Sequence, residues 1–149
     1  MGSAGKAIAA AGMLCGTMDI TAALVVYGQF GLRPQRLLQG IAAGVLGNRS
    51  FESGWATAAL GLFLHFVIAF GAATVFYVAS RWMRFLVDSW ALWGGLYGVA
   101  VYFFMQRVVI PLSQAARRPF SWKMMWIGIV IHIICVGLPI AWGVKRFGK

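Results

Sequence analysis

A chain of 149 residues that is 61% apolar, 11% charged and has a mean hydropathy of +0.81 lies far from the near-half apolar, quarter-charged make-up of a soluble domain. Its formal charge of +10 comes from thirteen Lys and Arg against Asp19, Glu52 and Asp88. No basic run exceeds Arg117-Arg118, which argues against nucleic acid as a partner, and three acids in three separate regions argue against a two-carboxylate catalytic site.

Runs of about twenty apolar residues, the length that crosses a bilayer, predict transmembrane helices over 7–30, 55–80, 89–112 and 124–144. Before the first run there is one lysine, Lys6, without a positive cluster, and no A-x-A-like site follows it. The expectation is therefore a retained span rather than a cleaved signal. Cys15 lacks the leucine three residues earlier that a lipobox needs, and Cys15 and Cys135, in separate apolar runs, read as buried thiols rather than a disulfide or a metal pair.

Between the first two spans, RPQRLLQGIAAGVLGNR is too short to cross. Leu37, Leu38, Ile41, Ala42, Val45 and Leu46 recur on one helical face, predicting a short amphipathic helix over about 35–47 in the head-group plane. The second connection is tight, and the third carries the basic pair Arg117-Arg118. Tryptophans mark the span ends as an aromatic belt does: Trp55 and Trp82, Trp90 and Trp93, Trp122 and Trp126, then Trp142.

The predicted fold is thus an all-α membrane protein with a single membrane domain, four transmembrane helices in two hairpins plus the interfacial amphipathic helix. Orientation does not follow from the basic residues. The terminal face, with both termini and the second connection, holds Lys6, Arg81, Arg84, Lys145, Arg146 and Lys149; the opposite loop face holds Arg33, Arg36, Arg49, Arg117, Arg118 and Lys123, plus Arg107 if it reaches out. Such a balance also suits dual topology and an antiparallel homodimer. The loop-face cations are the expected contacts of anionic lipid.

Both histidines of the chain lie inside spans, each one helical turn after a glycine: His65 in GLFLHFVIAFG and His132 in GIVIHIICVG. Spans two and four run in the same direction, so the repeat places the same element at one depth twice, as related hairpins would. At about 1.5 Å per residue from the loop face, His65, His132 and Asp19 lie roughly 15, 14 and 18 Å deep, and Arg107 roughly 8 Å. Intramembrane ionisable groups are functional candidates by default.

Three readings of this layer stay open. Asp19, His65, Gln106, Arg107 and His132 can form a polar network that fixes helix packing, helped by the close-packing glycines Gly12 and Gly16 and by Gly94, Gly95 and Gly98. Asp19 and the histidines can serve a proton- or ion-coupled transporter, although the prolines Pro111 and Pro139 stand near span ends rather than breaking a span midway. His65 and His132 can ligate a haem b, with Gly61 and Gly128 leaving room for the macrocycle. No catalytic signature is present: G-x-S-x-G and H-E-x-x-H are both missing, and no metal site is expected.

GTMDITAA, the Arg33-Pro34 and LLQGIAAGVLG segment, WATAALGLFLHF, LYGVAVYFFM, VVIPLS and HIICVGLPIA together resemble a family of small bacterial integral-membrane proteins of unknown function, similar to the YagU-like inner-membrane proteins. The resemblance runs over nearly the whole chain, and its most distinctive stretches contain Asp19 and His132. It implies a multi-pass protein of the bacterial cytoplasmic membrane and no established activity. The expected function is non-catalytic, an accessory or assembly subunit that binds lipids and the transmembrane helices of other subunits or of a second copy.

Overall fold

The computed structural model describes residues 2–116 and 119–148, and within them the chain is helical apart from its connections. In chain order the helices are α1 (Ser3–Gln29), α2 (Pro34–Leu46), α3 (Gly54–Trp82), the single turn α4 (Phe85–Asp88), α5 (Trp90–Leu112) and α6 (Trp122–Phe147). Four of them, α1, α3, α5 and α6, are long and apolar enough to cross a membrane. In such a solvent every backbone polar group must be satisfied within the segment, which is why apolar runs of this length fold as helices.

Local chemistry sets the ends. Pro34 opens α2 after an extended Arg33, where its missing N–H costs nothing. Gly47 closes that helix with φ +58°, its N–H reaching back to the Ala43 carbonyl, a conformation that glycine adopts without penalty. At the start of α6 the Ser121 hydroxyl accepts from the Met124 N–H.

Two of the spans widen into π-helical turns, Met105–Val109 in α5 and His132–Gly137 in α6. Each ends two residues before a proline, Pro111 and Pro139. A proline has no N–H for the carbonyl four residues earlier; here those are the carbonyls of Arg107 and Cys135, inside the widened turns. The freed carbonyl lets the ladder slip by one residue rather than break.

Packing is uneven along the membrane normal. Ala11 and Cys15 of α1, Ala73 and Phe76 of α3, Leu86 of α4, and Ile140 and Val144 of α6 form the main core, all towards the terminal face. There the chain also closes across the bundle, with the Tyr97 hydroxyl donating to the Ala72 carbonyl at 2.7 Å and the Phe76 and Tyr97 rings 5.0 Å apart. Helices α5 and α6 meet backbone to backbone, Gly94 and Gly98 against Gly137 and the His132 carbonyl. Small residues give this contact its closeness, since lipid supplies no hydrophobic drive for one helix to bind another.

Helix α2 packs along α3 and reaches the end of α5, where the Gln114 N–H and side-chain amide donate to the Gly44 and Val45 carbonyls at 2.9 and 2.7 Å. Ala42 of the apolar stripe is buried together with Gln39 and Ala43 beside it, while Val45 of the same stripe is 54% exposed. The reason is steric: the α2 backbone at Leu38 and Ala42 lies against Gly61, and only small side chains fit beside such an approach.

Candidate functional site

The intramembrane polar residues are where a function would reside, and each sits in a distinct setting. His65 projects from α3 towards α1, half-buried, with Nε2 2.9 Å from the Gly16 carbonyl. A carbonyl can only accept, so Nε2 carries the proton. Beside this bond and one turn along from it, aromatic rings occupy the glycine notches of α1, Phe66 over Gly16 and Phe70 over Gly12. The G-x-x-x-G pair therefore receives rings, and the two backbones stay apart.

His132 makes a different bond. Its Nδ1 is 2.8 Å from the carbonyl of Gly128 one turn back on its own helix, and its ring stands edge-on to Tyr102 at 5.3 Å. Here Nδ1 carries the proton and Nε2 the lone pair. The repeated G-x-x-x-H thus has two outcomes: His132 uses its own glycine, whereas the glycine before His65 receives α2.

Those glycines also bear on haem ligation. The space above Gly61 holds the α2 backbone at Leu38, and the space above Gly128 holds the Tyr102 ring. A macrocycle between the histidines would have to displace both and take His65 Nε2 from its carbonyl. The residues present do not fit that group.

Asp19 is half-buried on α1, within electrostatic range of the Cys15 and Cys135 thiols. Gln106 and Arg107 are exposed, on the widened turn of α5. Among the described residues no hydrogen bond or ion pair joins any two of Asp19, His65, Gln106, Arg107 and His132. Among the described residues Asp19 has no cation whose loss of partner would destabilise the fold. Asp19→Asn is expected to leave the melting temperature in mild detergent within about 2 °C of the parent, the size of a change that breaks no buried pair. A fall of about 5 °C or more in that melt would reveal a partner for the carboxylate.

The best-satisfied polar cluster lies elsewhere and was not anticipated. Gln39, 2% exposed, donates from its side-chain amide to the Gly54 carbonyl at 2.9 Å and to the Thr57 hydroxyl at 3.3 Å; Thr57 in turn donates to the Ser50 carbonyl at 2.6 Å. These bonds tie α2, the turn after it and the first residues of α3 together. The available signal was a lone amide in the apolar stretch LLQGIAAG, one turn before Ala42 and Ala43.

Of the expected lipid contacts, Arg33, Arg36, Arg49 and Lys123 are exposed on the loop face, while Arg117 and Arg118 lie outside the described residues. Two of the four rest on aromatic rings, Arg36 over Phe51 and Lys123 over Phe30, each at 5.2 Å. Comparison of the chain with protein-family models, curated proteins and solved structures finds no match.

Proposed function

We propose that the chain is a non-catalytic, multi-pass protein of the bacterial cytoplasmic membrane, of the YagU-like kind its sequence resembles. In this reading its spans form two hairpins, α2 lies in the head-group plane, and α5 docks against a transmembrane helix of another subunit or a second copy. The observation that carries the reading is the outer face of α5. In its most apolar stretch only 11% of residues are buried, against 33% for α6. That face also carries Gln106 and Arg107, exposed on a turn whose carbonyl ladder has already slipped.

Charged and amide groups at membrane depth nearly always turn inward to a partner. An outward pair among Phe103, Phe104 and Val108 supplies both a polar anchor and an apolar surface for a neighbouring helix.

Photo-crosslinking in native membranes tests this. A benzophenone side chain at Phe104 or Val108 is expected to give one discrete protein adduct, whose mass tells a second copy from another subunit, and Arg107→Leu should abolish it. The same probe at Val75, exposed on α3, should not give that adduct. Lipid adducts alone at both α5 positions would overturn the reading.

A further inference from the structure

On the terminal face, far from the docking surface of α5, two surface depressions run into each other. The one nearer the middle of the span, about 230 Å³ and shallow, is lined by Leu14 and Met18 of α1, Ile134 and Leu138 of α6, and the rings of Trp90 and Trp142. The outer one, about 310 Å³, is lined by the same two tryptophans together with Lys145 and Arg146. From Ile134 to Trp142 the groove extends about 12 Å along α6, at 1.5 Å per residue.

Its polarity is graded. The inner part is aliphatic, the middle is framed by two indoles at the level where aromatic belts lie, and the mouth carries two adjacent cations. The Lys145 ammonium rests 5.9 Å from the centre of the Trp90 ring and the Arg146 guanidinium 5.6 Å from that of Phe147, so both heads stay near the groove. Among the described residues neither is paired with a carboxylate. Close by, the Arg81 guanidinium is 3.4 Å from the Gly148 carbonyl and holds the end of α6 in place.

We infer that this groove is a binding site for one anionic phospholipid, with an acyl chain against Leu14, Met18, Ile134 and Leu138 and the phosphate between Lys145 and Arg146. The occupant follows from complementarity. A shallow aliphatic groove ending in two cations that have no carboxylate partner among the described residues matches a molecule with an apolar chain and a net negative head, and the spacing of the two parts follows the membrane normal. A zwitterionic lipid fills the slot equally but leaves the cations without net compensation. This site is separate from the loop-face arginines and does not depend on the docking role of α5.

The test is lipid binding by the full chain in mild detergent, titrated with phosphatidylglycerol, with phosphatidylcholine and with inorganic phosphate, and read by native mass spectrometry. Phosphatidylglycerol is expected to bind on the order of tenfold more tightly than phosphatidylcholine, the scale that two cations beside an anionic head group set. Lys145→Gln with Arg146→Gln should remove that preference, while Arg33→Gln with Arg36→Gln on the other face should keep it. Ile134→Trp, at a position 52% exposed, should fill the slot and weaken both lipids without lowering the melting temperature. Equal binding of the two lipids, a preference that survives the Lys145/Arg146 change, or displacement of the lipid by inorganic phosphate would each overturn the assignment.

Discussion

Gly137→Val is expected to prevent α5 and α6 from closing and to lower the melting temperature in detergent by about 10 °C or more. A Cβ at Gly137 would fall on the Gly94 carbonyl oxygen and within 2.6 and 2.8 Å of the Gly98 N and Cα. All three are backbone atoms, which cannot swing aside as a side chain does. The contact is reciprocal, since a Cβ at Gly98 would meet the His132 carbonyl, and one at Gly94 would come within 3.0 Å of the Gly137 oxygen.

Overpacking a soluble core costs about 1–3 kcal/mol, and a clash confined to backbone atoms belongs at or above the top of that range. For a chain of this size, 3 kcal/mol corresponds to about 10 °C. In lipid, where close packing is itself the main attraction between helices, little else offsets the loss. Gly71→Val on α3 is the control, because a Cβ there meets nothing within 4 Å. Equal melting of the two variants would show that the α5–α6 contact is not what holds the bundle.

Gly61→Val is expected to act locally and as severely, releasing α2 from α3 while the four spans stay associated. Its Cβ would meet the Leu38 carbonyl and come within 3.3 Å of the Ala42 N, so the whole helix must move. Moving it breaks the bonds from Gln39 to Gly54 and Thr57 and uncovers groups that are buried when paired, at about 1–3 kcal/mol for each one left unsatisfied.

Thiol labelling reads this directly. In a Cys15→Ala, Cys135→Ala background, Ser50→Cys introduces a reporter at a fully buried position whose hydroxyl has no partner among the described residues, so the exchange removes no hydrogen bond. The reporter should resist a water-soluble maleimide until Gly61→Val is added, and then label at least tenfold faster. Unchanged protection would mean that α2 is held by its links to Gln114 rather than by its seat on α3.

The contrast between these glycines explains what could be read in advance. The spans could, because length and apolarity are properties of each segment alone: 7–30, 55–80, 89–112 and 124–144 lie within four residues of the helix ends at every boundary. The helix between the first two spans was legible for the same reason, displaced by one residue at each end. Its inward face was legible only in part, at Ala42. Hydrophobicity sorts residues when water is the alternative, but against another helix size sorts them, so Gln39 and Ala43 turn inward beside Ala42 of the stripe, and Val45 turns out.

The polar layer failed to resolve for a related reason. Depth can be counted from the sequence, but direction around each helix cannot. His65 and His132 share a depth and a preceding glycine, and yet one reaches to a neighbouring helix and the other back to its own. The widened turns had a signal that spacing arguments passed over, since Pro111 and Pro139 both stand just beyond them.

The placement of the main core has a mechanical consequence. Phe76, Leu86, Ile140 and Val144 fasten the helices near the terminal face. At the other end the spans are joined more thinly, α1 to α6 by Lys123 over Phe30 and α5 to α6 by the Tyr102 ring over Gly128, while α2 is seated on α3 through Gln39 and tied to the Gln114 amide. A molecule fastened this way is a pair of tongs: the riveted end is the pivot, and the free energy of opening falls with distance from it. Splaying between the spans is therefore expected to begin at the loop face, with α2 carried along on α3, and a neighbour gripping that far end would work with the longest lever arm.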